Sequence, residues 1–236
     1  MLPLKDDIPS QGFPYVTVGL ILVNSLIFIL QVSMGSNART FVTAFGATPF
    51  ELTRHVDIPP RIPIPVSLTL VTSMFLHGGF FHIGGNMLYL WIFGDNVEDA
   101  MGSVRFMIFY LLCGVIASLT HVAIQPQATT PMVGASGAIS GVLGAYLLLY
   151  PHARVITLIM FFYFIRIVKL SALFVLGFWI VLQLLSGTMS LGREMGRGGV
   201  AWFAHIGGFF AGMLLVAIFK KKRVRFGILD RQRWMT

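Results

Sequence analysis

The sequence predicts an all-α polytopic membrane protein built as a six-transmembrane-helix bundle, and three observations carry that prediction. Of 236 residues, 56% are hydrophobic and only 11% charged, with a mean hydropathy of +0.81; an ordinary soluble domain carries about a quarter charged residues. Six apolar runs approach the roughly 20 residues needed to cross about 30 Å of hydrocarbon. The basic residues gather at the ends of those runs. The net charge of +8 therefore reads as membrane orientation and argues against a nucleic-acid partner.

The runs fall at about 14–33, 80–96, 104–124, 134–151, 170–188 and 201–219. This divides the chain into an N-terminal segment (1–13), a membrane domain (14–219) and a basic tail (220–236). The N-terminus opens on Lys5, Asp6 and Asp7 and leads into a full-length span, so no cleavable signal peptide is expected. The connection 34–79 carries Pro59, Pro60, Pro63 and Pro65 and is expected to be a structured interfacial loop. The connection 189–200, with Gly192, Gly196, Gly198 and Gly199, is expected to be mobile. Val155 to Phe164 is apolar but short, and Arg166 and Lys169 follow it. Its length suits an interfacial or re-entrant stretch better than a seventh span. The lone cysteine, Cys113, excludes an intramolecular disulfide.

Charge decides between six spans and seven. With six, both termini share a side that holds Lys5, Arg105, Arg154, Arg166, Lys169, Lys220, Lys221, Lys222, Arg223, Arg225, Arg231 and Arg233, twelve of the seventeen basic residues. Arg39, Arg54, Arg61, Arg193 and Arg197 fall on the other. The positive-inside rule then places both termini in the cytoplasm. Seven spans would send the Lys220–Arg225 cluster outside.

This topology aligns four polar residues. His82 and Asn86 start the second span, Ser136 the fourth and His205 the sixth, so all four lie at similar depth towards the outer face. His82 and Asn86, four apart, share a helix face. Ser136, Gly137, Ser140, Gly141 and Gly144 fall on one arc of about 140°, at roughly 100° per residue. Ala204, His205, Gly208 and Gly212 fall on a similar arc. The pairs Gly137/Gly141 and Gly208/Gly212 have the spacing that lets membrane helices approach closely. Such an approach would bring Ser136 Oγ to the His205 imidazole.

A serine hydroxyl is a weak nucleophile until a base stands within hydrogen-bond reach, and histidine serves as that base near neutral pH. Attack on a peptide carbonyl makes an oxyanion, for which donors must already be in place. The Ser136 N–H at a helix start and the side chains of His82 and Asn86 are the candidates. No carboxylate matches that depth, because Asp95, Glu98 and Asp99 sit at the far end of the second span. The pattern is a Ser–His dyad without an acid member.

Each residue alone has a plainer explanation. A serine in a membrane helix is ordinarily a packing or hydrogen-bonding device, and glycine pairs are common helix contacts. An ionisable residue at membrane depth points to function by default, but His205 could serve as a proton relay. His77 and His82 invite a metal, yet five-residue spacing sets them about 140° apart on a helix and no Cys or carboxylate joins them; no metal or cofactor is expected. His121 and His152 fall at span ends and are assigned no role.

Together, His77-xxxx-His82-xxx-Asn86, Gly134-Ala-Ser136-Gly137 and Ala204-His205-Ile-Gly207-Gly208 resemble the rhomboid family of intramembrane serine proteases, as do Glu98-xxx-Gly102 and the following Arg105. The likeness covers most of residues 14–219 and implies a six-helix rhomboid-like bundle. It implies cleavage of transmembrane or juxtamembrane segments of other membrane proteins, at small residues where the substrate helix unwinds easily. Ser136 would be the nucleophile, His205 the base, and His82 and Asn86 the oxyanion donors. The 34–79 connection would lie partly in the outer leaflet. The fifth span and the 189–200 connection would gate and cap the site, with Phe178 and Trp179 on the gate face.

Two departures stand out. Some family members carry an aromatic residue one turn after the nucleophile that stacks on the base; here that position is Ser140. The first long loop lacks the Trp-Arg pair of other members. Neither removes a catalytic group. The alternatives are a non-catalytic rhomboid-like protein that binds membrane clients, and a small transporter, which would ordinarily show internal repeats and broken helices. The expected setting is the lipid bilayer of a prokaryotic cell membrane, with the active site towards the outer side.

Overall fold

The computed structural model describes residues 1–61, 64–161, 164–191 and 200–227. In chain order, strand β1 (Leu2–Asp6) precedes helix α1 (Tyr15–Ser33). The long connection folds into α2 (Ala38–Phe45), α3 (Pro49–Arg54) and α4 (Thr69–Thr72). Then follow α5 (Phe80–Met101), α6 (Ser103–Ile124), α7 (Ser136–Leu149), strands β2 (Arg154–Phe161) and β3 (Phe164–Ser171), α8 (Ala172–Ser190) and α9 (Trp202–Phe219). Each of the six apolar runs holds a helix, with ends that shift by a few residues from the expected bounds. The described part of the 34–79 connection is structured, as expected. The mobility expected of 189–200 concerns mainly 192–199, which lie outside the described residues, as does the tail from 228 onward.

The helices are arranged for lipid rather than water. Helix α1 buries Thr17, Leu20, Asn24, Phe28 and Gln31, one stripe at spacings of three and four, while Leu22, Leu26 and Ile29 are exposed. The polar groups Thr17, Asn24 and Gln31 thus face the bundle, while much of the helix's aliphatic surface faces outward. The protein is an integral membrane protein. Helices α1, α6, α8 and α9 are each long and apolar enough to cross a bilayer. Helix α5 joins them only together with the preceding Val66–Phe75 segment, from which it is bent by 81°; its last turns carry Asp95, Glu98 and Asp99.

Helix α7 is shorter than the predicted 134–151 run. Its 14 residues extend about 21 Å at 1.5 Å per residue, short of the hydrocarbon thickness. It is the central helix, nearly all its residues buried, packed against α5, α6 and α9. Its contact with α9 is backbone on backbone. A Cβ at Gly208 would lie 2.1 Å from the Gly137 carbonyl oxygen, and one at Gly212 only 1.9 Å from that of Gly141. The small-residue faces meet, and no side chain fits between them.

The Val155–Phe164 stretch, expected to be interfacial or re-entrant, is not a membrane-spanning helix: its described residues belong to two antiparallel strands, a conformation that its length alone did not specify. β2 and β3 pair antiparallel from Arg154↔Ser171 to Phe161↔Phe164, and β1 adds to β2 from Leu2↔Leu158 to Asp6↔Val155. β-Branched residues (Val155, Ile156, Thr157, Ile159, Ile165, Ile167, Val168) favour this conformation. A sheet with an open edge leaves backbone groups unpaired, which hydrocarbon does not tolerate, so the sheet lies outside the apolar slab.

The sheet and the bundle are joined at one end. Asn96 Nδ2 donates to Asp6 Oδ2 over 3.0 Å, and the Tyr146 hydroxyl donates to the same oxygen. Buried Glu98 accepts from Val16 N, Thr17 N, Thr17 Oγ1 and Ser103 Oγ, at 2.7–3.0 Å. It thereby supplies partners for the free N–H groups that begin α1. Gly102, the single residue between α5 and α6, has φ +87°, a conformation that favours glycine. Lys221, just past α9, donates through its backbone N to Ala100 and through Nζ to the Asp99 carbonyl. The start of the basic tail and the N-terminal strand therefore share the end that holds the carboxylates.

Candidate active site

The four predicted residues meet at the opposite end of the bundle. Ser136 is the first residue of α7 and His205 lies in the first turn of α9. The glycine seam brings their backbones together, and His205 Nε2 stands 2.8 Å from Ser136 Oγ. Ser136, with no preceding helical turn, keeps a backbone N–H free of intrahelical bonding.

Helix α5 contributes His82 and Asn86 from its first two turns. His82 Nδ1 accepts from Gly78 N over 3.2 Å, so the neutral ring carries its proton on Nε2. Gly134 sits between that ring and the serine. A Cβ there would lie 2.8 Å from His82 Nε2 and 3.6 Å from Ser136 Oγ, and its φ is +121°. Glycine is required twice over. This extended approach to Ser136 explains why α7 starts two residues later than the apolar run. Asn86 is 7% exposed, and its Nδ2 has no hydrogen-bond partner among the described residues. A buried amide without a partner is costly in an ordinary packed interior.

These groups line one cavity of about 760 Å³, shared with Tyr89, Met132, Trp179 and Trp202. Its walls are largely apolar with a few convergent polar groups, the usual make-up of a ligand site. The two residues expected on the gate face part company. Trp179 lines the cavity, whereas Phe178 is exposed and stacks on Phe174. His121, assigned no role from sequence, also lines the cavity. His77 is buried beside His82, ring centroids 5.2 Å apart. Its backbone N–H and carbonyl are tied to the Gln31 side chain, which anchors the approach to α5.

Sequence reasoning missed one neighbour of the histidine. Gln183 Oε1 on α8 lies 2.8 Å from His205 Nδ1. Ser140, which occupies the position of the family's stacking aromatic, instead donates its hydroxyl to the Ser136 carbonyl at 2.6 Å. The imidazole is flanked by Trp179 and Trp202, at ring-centroid distances of 5.9 and 6.2 Å.

A Rhomboid domain model matches residues 66–222, well over half of the chain. The chain belongs to the rhomboid family. It is 30% identical over 155 residues to Rhomboid protein 1, mitochondrial, of Saccharomyces cerevisiae, covering 62% of this chain and 40% of that one. It is 34% identical over 135 residues to Rhomboid protease GluP of Bacillus subtilis, covering 57% and 24%. RHOMBOID-like protein 5 of Arabidopsis thaliana is 35% identical over 146 residues, covering 62% and 42%. The chain thus spans less than half the length of these relatives. Family membership, with a protease among the relatives, supports an intramembrane protease or a rhomboid-like function.

Proposed function

We propose that this rhomboid is a serine endopeptidase that cleaves transmembrane or juxtamembrane segments of membrane proteins through a Ser136–His205 dyad. The observation that carries the reading is the 2.8 Å separation of Ser136 Oγ and His205 Nε2, within hydrogen-bond reach at the wall of a cavity. His205 Nε2 takes the hydroxyl proton as Oγ adds to the scissile carbonyl. The negative charge formed on the carbonyl oxygen is met by His82 Nε2–H, Asn86 Nδ2 and the Ser136 N–H. The imidazolium then protonates the leaving amine, and water, activated by the same nitrogen, hydrolyses the acyl-serine. Unpartnered donors suit this work because they need not give up a partner when the oxyanion forms.

Six crossings with both termini cytoplasmic belong to the same proposal. The basic residues that share an end with the sheet support it, and it places the cavity towards the outer face.

Purified protein in liposomes with a transmembrane reporter tests the reading. Wild type is expected to cleave, and Ser136→Ala, folded to the same degree, is expected to be inactive. A Ser136→Ala variant that cleaves at the wild-type rate would end the proposal. One that retains a bound client while wild type also fails to cleave would favour a client-binding role.

A further inference from the structure

We propose that Gln183 is the positioning residue of His205, the member that a two-residue dyad lacks; the inference rests on the protease reading above. Gln183 is 6% exposed, on the inward face of α8, a helix otherwise apolar from Ala172 to Leu185. Its amide makes two hydrogen bonds of opposite kinds. Nε2 donates to the Trp179 carbonyl one turn earlier over 3.3 Å, and Oε1 meets His205 Nδ1 at 2.8 Å.

The first bond fixes the orientation of the amide. Turned over, the side chain would set its oxygen against the Trp179 carbonyl, two acceptors with no proton between them. With Oε1 held towards the ring, His205 Nδ1 must carry the proton. Nε2 is then the lone-pair nitrogen, and it is the one that faces Ser136 at 2.8 Å. The ring is thus held in the tautomer and rotation that accept the serine proton. As the imidazolium forms, the Nδ1–H···O bond becomes charge-assisted and strengthens. An amide fills the corresponding place in Cys-His-Asn proteases.

The element that carries Gln183 sharpens the consequence. Trp179, the cavity-lining residue, and Gln183 sit one turn apart on α8, which packs against α9 but has little contact with α7. A displacement of α8 away from α9 would therefore open the cavity and release the base together.

Among the described residues, the titratable groups facing His205 are His82 from α5 and His121 from α6, with Tyr89 of α5 on the same cavity; α8 carries none. A carboxylate at position 183 would add a negative charge beside the ring. The test compares Gln183→Leu and Gln183→Glu with wild type, using kcat and KM on the reporter and the rate of fluorophosphonate labelling of Ser136 across pH. Gln183→Leu is expected to lower kcat and labelling together by about 10–100-fold, with KM within about 2-fold. Gln183→Glu keeps the acceptor and restores most of the rate. It also moves the acid limb of the pH profile upward by about one unit, because a carboxylate favours the imidazolium. A folded Gln183→Leu with wild-type kcat overturns the role of Gln183. Where Gln183→Leu does not fold, an acid limb unmoved in Gln183→Glu overturns it. Wild type that neither labels nor cleaves removes the protease reading beneath it, whereas a labelled wild type indifferent to both substitutions removes only Gln183.

Discussion

Glu98 and Asn86 lie on the same helix, about 18 Å apart at 1.5 Å per residue, and both are buried. Glu98 accepts four hydrogen bonds from α1 and α6, while the Asn86 amide nitrogen has no partner among the described residues. The contrast extends to their surroundings. At the Glu98 end, Asp6, Asn96 and Tyr146 join the sheet to the helices. At the Asn86 end, His82, Ser136 and His205 border a cavity. One end uses buried polar groups to hold the molecule together. The other, on the proposed protease reading, holds them ready for a charge that is absent until a substrate reacts. Between Glu98 and Asn86 burial does not separate the two uses; what differs is satisfaction together with a place on the cavity wall.

Substitutions at the two ends should therefore fail differently. The largest effect is expected for Glu98→Ala, which strands N–H groups at the start of α1. Stability should fall by about 2–4 kcal/mol, read from unfolding in detergent, while the protein that remains folded keeps its kcat within about 3-fold. Next comes Asn86→Ala. Its unfolding midpoint should stay near that of wild type, but reporter cleavage should drop about 100-fold, equal to about 2.7 kcal/mol of transition-state stabilisation. A large stability loss with unchanged cleavage would make Asn86 a structural residue like Glu98 and dissolve the contrast.

The smallest expected effect is one of pH at the sheet end. Burial pushes the Asp6 carboxyl up from 3.8 to about 6, with the Tyr146 hydrogen bond opposing and the neighbouring Asp95 and Asp7 charges adding. The folded state thus holds the proton more tightly than the unfolded chain. Asp6 favours folding most below pH 4, and that advantage fades as pH rises through 6. Asp6→Asn should flatten the stability profile between about pH 4 and 6, seen as a smaller change in unfolding midpoint than in wild type. An unchanged profile would mean that Asp6 ionises freely despite its contacts.

How much was legible in the sequence follows from the same physics. Ser136, His205, His82 and Asn86 could be found because polar residues stand out against apolar runs, and charge asymmetry gave those runs a common direction. The glycine faces gave the seam. Gln183 was passed over because an uncharged amide with no motif around it resembles an ordinary polar inclusion. The available signal was that it is the one strongly polar side chain between Ala172 and Leu185. The strands at 154–171 were not specified because the ten apolar residues were judged by length, which argued against a span, when their β-branched character also pointed to strands. Strand β1 could not be foreseen, since its partner lies about 150 residues away and local pattern does not encode that pairing. The extra length assigned to α7 came from counting Gly134 as helical, where its backbone instead makes room for His82.

The most direct test of the Ser136–His205 dyad is to locate a fluorophosphonate adduct by mass spectrometry in bilayer-embedded protein. The account predicts one adduct, on Ser136, much reduced in His205→Ala while that variant remains folded. Modification of a different serine, or equal labelling of Ser136 without His205, would contradict it.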